Sequence, residues 1–139
     1  MNELIVHIAP MGKPRMTRRD RWAKRPAVLR YFAMKDELIR AAKEQGFDLG
    51  GSFLIEFYIP IPKSTPKKKA RAMDVTKHDR RPDLDNLLKG VMDALLEEDG
   101  SVHTVLAKKY WTSSAGMIYV RSLGHMAAEG VVYLNQNKE

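Results

Sequence analysis

No feature of this sequence constrains its fold more tightly than the apolar stripe Leu84, Leu87, Leu88, Val91, Leu95 and Leu96, which recurs at helical spacing. Such a stripe is one face of a helix, predicted here over residues 84–97 behind Pro82, and that face must be buried against other apolar elements. Its opposite face is charged. Asp85, Lys89 and Asp93 stand four residues apart along it, and Asp83 sits at the helix entrance. One helix therefore serves both the core and a cluster of charged groups.

The elements able to receive the stripe follow from the same periodicities. Leu4, Val6 and Ile8 alternate in a strand predicted over residues 3–9, ended by Pro10, Gly12 and Pro14. Leu29, Phe32, Ala33, Leu38, Ala41 and Ala42 place an amphipathic helix over residues 27–45, with Gly46 as its stop. After Gly50 and Gly51, the alternation of Phe53, Ile55, Phe57 and Ile59 marks a strand over 52–61. Pro60, Pro62 and Pro66 end it, and the lysine run beyond reads as a loop containing a short helix across 65–72. Residues 102–111 and 117–123 read as strands joined by a polar turn, and 131–134 as a last edge strand. No repeat or linker divides the 139 residues. The expectation is an α/β fold in a single domain, residues 1–139, with a small mixed β-sheet packed against two principal helices.

Charge is distributed unevenly. Lysine and arginine number 24 against 17 acidic residues, a net +7. Lys13, Arg15, Arg18, Arg19 and Arg21 lie in a segment where Asp20 is the one acid between Pro10 and Lys35, and Lys67, Lys68, Lys69, Arg80 and Arg81 belong to a second basic block. Between Pro82 and Gly100 the balance reverses, with Lys89 the one base among Asp83, Asp85, Asp93, Glu97, Glu98 and Asp99. Cations around a knot of carboxylates suit a surface for phosphates, and these ten lysines and arginines are the candidate nucleic-acid contacts. Trp22 and Tyr31 are candidates for stacking on bases of a nucleic acid, with burial in the core as the alternative. His78, beside the acidic segment, could touch phosphate or be an ordinary loop residue.

Several chemistries are excluded or disfavoured. The absence of cysteine removes disulfides, zinc–thiolate sites, iron–sulfur clusters and thiol nucleophiles. The four histidines show no zinc-ligand spacing, and Gly50-Gly51 is too isolated to cradle a nucleotide, so no small-molecule cofactor is expected. Apolar runs fall far short of the roughly 18 residues of a spanning helix, and no secretory leader is evident, so a cytoplasmic location without membrane association is expected.

The carboxylates admit two readings. In the plainer one, Asp83 caps the helix, Asp85 complements its dipole and Lys89 pairs with Asp85 or Asp93 for about 0.3–0.5 kcal/mol. In the other, Asp83, Asp85 and Asp99 offer hard oxygens to Mg²⁺, which takes one or two carboxylates with water and substrate phosphate. Phosphodiester hydrolysis would follow, with Lys89 steadying charge on phosphate oxygens.

The run Arg81-Pro82-Asp83-Leu84-Asp85-Asn86-Leu87-Leu88-Lys89, then Asp93-Ala94-Leu95 and Glu98-Asp99-Gly100-Ser101-Val102, resembles the RusA family of Holliday-junction resolvases. The likeness extends to Phe57-Tyr58-Ile59-Pro60-Ile61-Pro62-Lys63 and to Gly12-Lys13-Pro14-Arg15, spanning residues 4–123. It implies that Asp83, Asp85 and Asp99 are catalytic carboxylates binding Mg²⁺, with Mn²⁺ as the other candidate ion, and that Lys89 is the catalytic lysine. Asp93 takes a supporting role. Where the family carries paired aspartates after a longer, aromatic-containing turn, this chain has Glu98 in the first place and a short Leu96-Glu97 turn, which makes Glu98 a further candidate ligand. The resemblance also implies a homodimer that nicks two strands of a four-way junction symmetrically. The alternatives are a nuclease for other branched DNA and a basic DNA- or RNA-binding module without activity.

Overall fold

β2 (Ser52–Pro60) is the centre of the architecture, and its sequence explains why. Phe53, Ile55 and Phe57 are fully buried along one face of the strand, as strict alternation requires. The computed structural model describes residues 2–15 and 25–124, Asp99 by its backbone alone. Around β2 stand β1 (Glu3–Val6), β3 (Thr104–Thr112) and β4 (Met117–Ser122), with α1 (Pro26–Gln45), α2 (Lys67–Met73) and α3 (Leu84–Leu95) between them in the chain. The strands form one mixed sheet in the order β1-β4-β2-β3, parallel between β2 and β3 and antiparallel elsewhere. The expected α/β class and small mixed sheet are thus observed. A parallel pair needs a crossover connection, which α2 and α3 supply.

The stripe of α3 lands where the sequence requires: Leu87 and Val91 are buried, and Leu84, Leu88 and Leu95 pack around the same core. Gly90 faces α1, where a Cβ would lie 3.3 Å from the Tyr31 ring and 3.4 Å from the Met34 methyl, so its bare backbone lets the two helices close together. α3 stops two residues before the expected end, because Leu96 turns extended.

α1 ends at Gly46, whose φ of 63° is the left-handed cap conformation that glycine adopts without strain. Its buried face differs from the expected one. Val28, Tyr31, Met34, Leu38, Ala41 and Ala42 are buried, whereas Leu29 and Phe32 are 48% and 47% exposed. Tyr31 takes the interior place that hydropathy would assign to Phe32, and its hydroxyl donates to Asp93 Oδ2 of α3 at 3.4 Å. A wholly buried ring cannot stack on DNA, which removes that role for Tyr31.

The strand ends also shift. β1 closes at Val6, where its pairing with Ile118 ends and Ile8 N–H turns back to the Val6 carbonyl. β3 and β4 are consecutive and joined by a short turn, yet β2 lies between them. The candidate edge strand at 131–134 lies outside the described residues. No helix among the described residues is long and apolar enough to cross a membrane.

Candidate active site

The loop that leads into α3 is tied along the free edge of β3. Val75 N–H donates to Trp111 O, Trp111 N–H to Thr76 O, and His78 N–H to Lys109 O, at 2.9, 2.9 and 3.1 Å. His78 is 4% exposed with its ring 4.1 Å from that of Trp111, so it packs rather than meeting phosphate. Burial, with the Lys109 charge adding to it, holds its imidazole below the usual histidine range. Lys109 Nζ then donates to the carbonyls of Arg80 at 2.5 Å and Pro82 at 2.8 Å.

Directly after this clamp come the two acids that open α3. Asp83 occupies the N-cap position, yet its side chain makes no capping hydrogen bond; its backbone carbonyl accepts Leu87 N–H at 3.1 Å. Asp85 lies in the first turn. Both residues are exposed, and among the described residues neither carboxylate has a hydrogen-bond or ion-pair partner. The plainer reading required a cap at Asp83 and an ion pair for Lys89; the described residues supply neither. Lys89 is exposed, one helical turn beyond Asp85.

Asp93, the third charge on this face, is engaged elsewhere. Its Oδ2 accepts Lys13 Nζ at 2.9 Å across 80 residues of sequence. Burial alone would raise its pKa, but the Lys13 hydrogen bond and charge, helped by Lys35, outweigh burial and hold the carboxyl below its ordinary range. The same carboxylate acts on Tyr31, whose hydroxyl is pushed up to about 12 by burial and then by Asp93. Lys13, a candidate DNA contact, thus pairs with Asp93 and ties residues 12–15 to α3.

A second tie sits beside it. Asn86 Nδ2 donates to Lys13 O at 3.2 Å, and Gly12 passes so close to that amide that a Cβ would lie 2.3 Å from it. Between this segment and the α3 entrance opens a concavity of about 580 Å³ lined by Gly12, Arg81, Pro82, Asp83 and Asn86. Arg15, Arg80 and Arg81 are exposed, as are Lys67, Lys68 and Lys69 on α2. Arg18, Arg19, Arg21 and Trp22 lie outside the described residues, as does the side chain of Asp99, whose backbone opens the 3₁₀ turn Asp99–Ser101.

The structure therefore places Asp83 and Asp85 two residues apart at the entrance of α3, with Lys89 a turn beyond Asp85 and Arg81 on the same rim as Asp83. Among the described residues no group of three His, Cys, Asp or Glu could hold a metal ion. Two unpartnered carboxylates still match the protein share of a Mg²⁺ site, which water and substrate phosphate complete. The contributions of Lys109, Asn86 and Gly12 were not read from sequence. For Lys109 a signal existed, since it interrupts the inward row Val105, Ala107, Trp111 of β3 with a charge.

The described residues thus form a mixed sheet with helices packed on it and two exposed acids at a helix entrance, inside a basic chain. The chain matches the family model described as "Endodeoxyribonuclease RusA" over residues 6–121. It belongs to the RusA family, whose members are endonucleases that resolve Holliday junctions. No curated protein matches the chain.

Proposed function

We propose that this protein resolves four-way DNA junctions by Mg²⁺-dependent hydrolysis of paired phosphodiesters, acting as a homodimer. The observation that carries the reading is the pair Asp83 and Asp85: exposed, two residues apart at the entrance of α3, without cap bond or ion pair among the described residues, in a chain of net charge +7. Leaving two like charges together is unfavourable unless a cation joins them. Asp83 and Asp85 would hold the metal, with Asp99 as a third ligand and Glu98 as its neighbouring alternative.

When bound, Mg²⁺ polarises the scissile phosphate and makes a coordinated water more acidic. The chain's own residues do the rest. Lys89, exposed and with no carboxylate partner among the described residues, would steady charge on phosphate oxygens. Arg81 on the rim of the concavity, with Arg15, Arg80 and the three lysines of α2, supplies phosphate contacts that position the strand. Arg18, Arg19 and Arg21 extend that set by sequence. Two symmetric nicks call for two copies of one site, which a twofold dimer provides.

The deciding experiment is incision of an end-labelled junction with Mg²⁺ or EDTA, comparing wild type with Asp85→Asn. Paired nicks that need both the metal and Asp85, with junction binding retained in the variant, are expected. Tight binding without any nick would instead make the protein a binding module, and preference for flaps over junctions would reassign its substrate.

A further inference from the structure

Lys109 is half-buried and interrupts an apolar row of β3. The β3 register sets it opposite the fully buried Phe57, on the helix-bearing face of the sheet, in the row that holds Val105, Ala107 and Trp111. An ammonium drawn partly out of water there must find acceptors. Among the described residues it has no carboxylate partner; both its acceptors are main-chain carbonyls, those of Arg80 and Pro82.

Those two carbonyls belong to the stretch that delivers Asp83. Pro82 has no N–H, so the chain cannot anchor itself there through its own amide. Asp83 adds no side-chain cap. The Lys109 carbonyl also accepts His78 N–H, so one residue grips the loop at positions 78, 80 and 82 and sets the path along which Asp83 emerges. Its ammonium is turned toward the loop carbonyls, not outward with the exposed lysines of α2.

We propose that Lys109 is a positioning residue for the metal-binding acids: by fixing the Arg80 and Pro82 carbonyls it sets where Asp83 stands, and so governs metal affinity and turnover without contacting the junction. This rests on the reading of Asp83 and Asp85 as metal ligands. Residues that orient ligands in this way typically cost about 10–100-fold in metal affinity or activity when removed.

The test compares wild type, Lys109→Met and Lys109→Arg in three readings. In metal-free protein, Lys109→Met should shift the backbone amide resonances of Arg81, Asp83 and Asp85 while those of the middle of α1 stay in place. In a Mg²⁺ titration followed by the same resonances and by junction incision, half-saturation should rise about tenfold or more and turnover fall. Junction affinity in EDTA should be unchanged, and Lys109→Arg, which keeps charge and donors, should restore most of the loss. A folded Lys109→Met with wild-type resonances and Mg²⁺ dependence overturns the proposal, as does a loss confined to junction affinity in EDTA. Should Lys109→Met not fold, Lys109→Gln decides on the same readings, since its shorter amide stem cannot hold both carbonyls. A wild type that cuts no branched DNA removes the proposed function, while the metal-free resonances still decide whether Lys109 places Asp83.

Discussion

Replacing Gly12 with alanine tests how residues 12–13 are seated on α3, because the sign of the effect should depend on Asn86. A Cβ at Gly12 would lie 2.3 Å from Asn86 Nδ2 and 3.2 Å from its Cγ, against 3.4 Å for ordinary contact, so the amide must withdraw by about 1 Å. That movement breaks its 3.2 Å hydrogen bond to Lys13 O. The broken bond costs about 1 kcal/mol, and an off-rotamer Asn86 about 0.5–1.5 kcal/mol. Gly12 φ lies outside the left-handed region, so alanine fits the backbone, and it offsets about 0.4–1 kcal/mol by restricting the unfolded chain. The net is a destabilisation of about 1 kcal/mol. In an Asn86→Ala background the nearest remaining atom is Pro82 Cβ at 3.5 Å, an ordinary contact. There Gly12→Ala should stabilise by about 0.4–1 kcal/mol, a coupling near 2 kcal/mol. Urea unfolding of the four proteins of this cycle measures it. Equal effects in both backgrounds would refute the seating of Gly12 against Asn86.

Two further outcomes follow from charge. His78 titrates below its unfolded value near 6.5, so the unfolded chain takes up the proton first; its stabilising contribution is present above that pH and lost as the pH falls below it. Melting temperature should therefore drop between pH 7.5 and 5.5, and His78→Phe, which keeps a ring against Trp111, should flatten the drop; an unaltered slope would place the titrating group elsewhere. Joint replacement of Lys67, Lys68 and Lys69 by alanine should reduce the salt dependence of junction binding by about 0.9 in log–log slope for each phosphate that these lysines neutralise. An unchanged slope, read by fluorescence anisotropy across salt concentrations, would make these lysines a solvated surface.

What could be read from the chain alone was whatever short-range periodicity controls. The alternation of Phe53, Ile55, Phe57 and Ile59 dictates a strand with one buried face whatever surrounds it, and the α3 leucines dictate a helix whose far side carries Asp85 and Lys89. Gly46 ends α1 because it takes the left-handed conformation without a steric penalty. The two acids were legible for the same reason: Asp83 and Asp85 stand two residues apart at the helix entrance, a placement that needs no tertiary structure.

The rest was decided by residues distant in sequence. α1 buries the stripe that contains Tyr31 and leaves the more apolar Phe32 outside, and the Tyr31 hydroxyl meets Asp93, 62 positions away. The carboxylate that Lys13 meets, Asp93, is likewise supplied only by the fold. Lys109 looks like one more surface cation in a basic chain; the register of β3 against β2 turns it inward, and the loop before α3 supplies the carbonyls that satisfy it. Local pattern specifies elements and their polar faces, because backbone geometry repeats every two or 3.6 residues. The partner each polar group finds is set by chain packing, where an ammonium or carboxylate leaving water must be matched by whatever the fold places beside it.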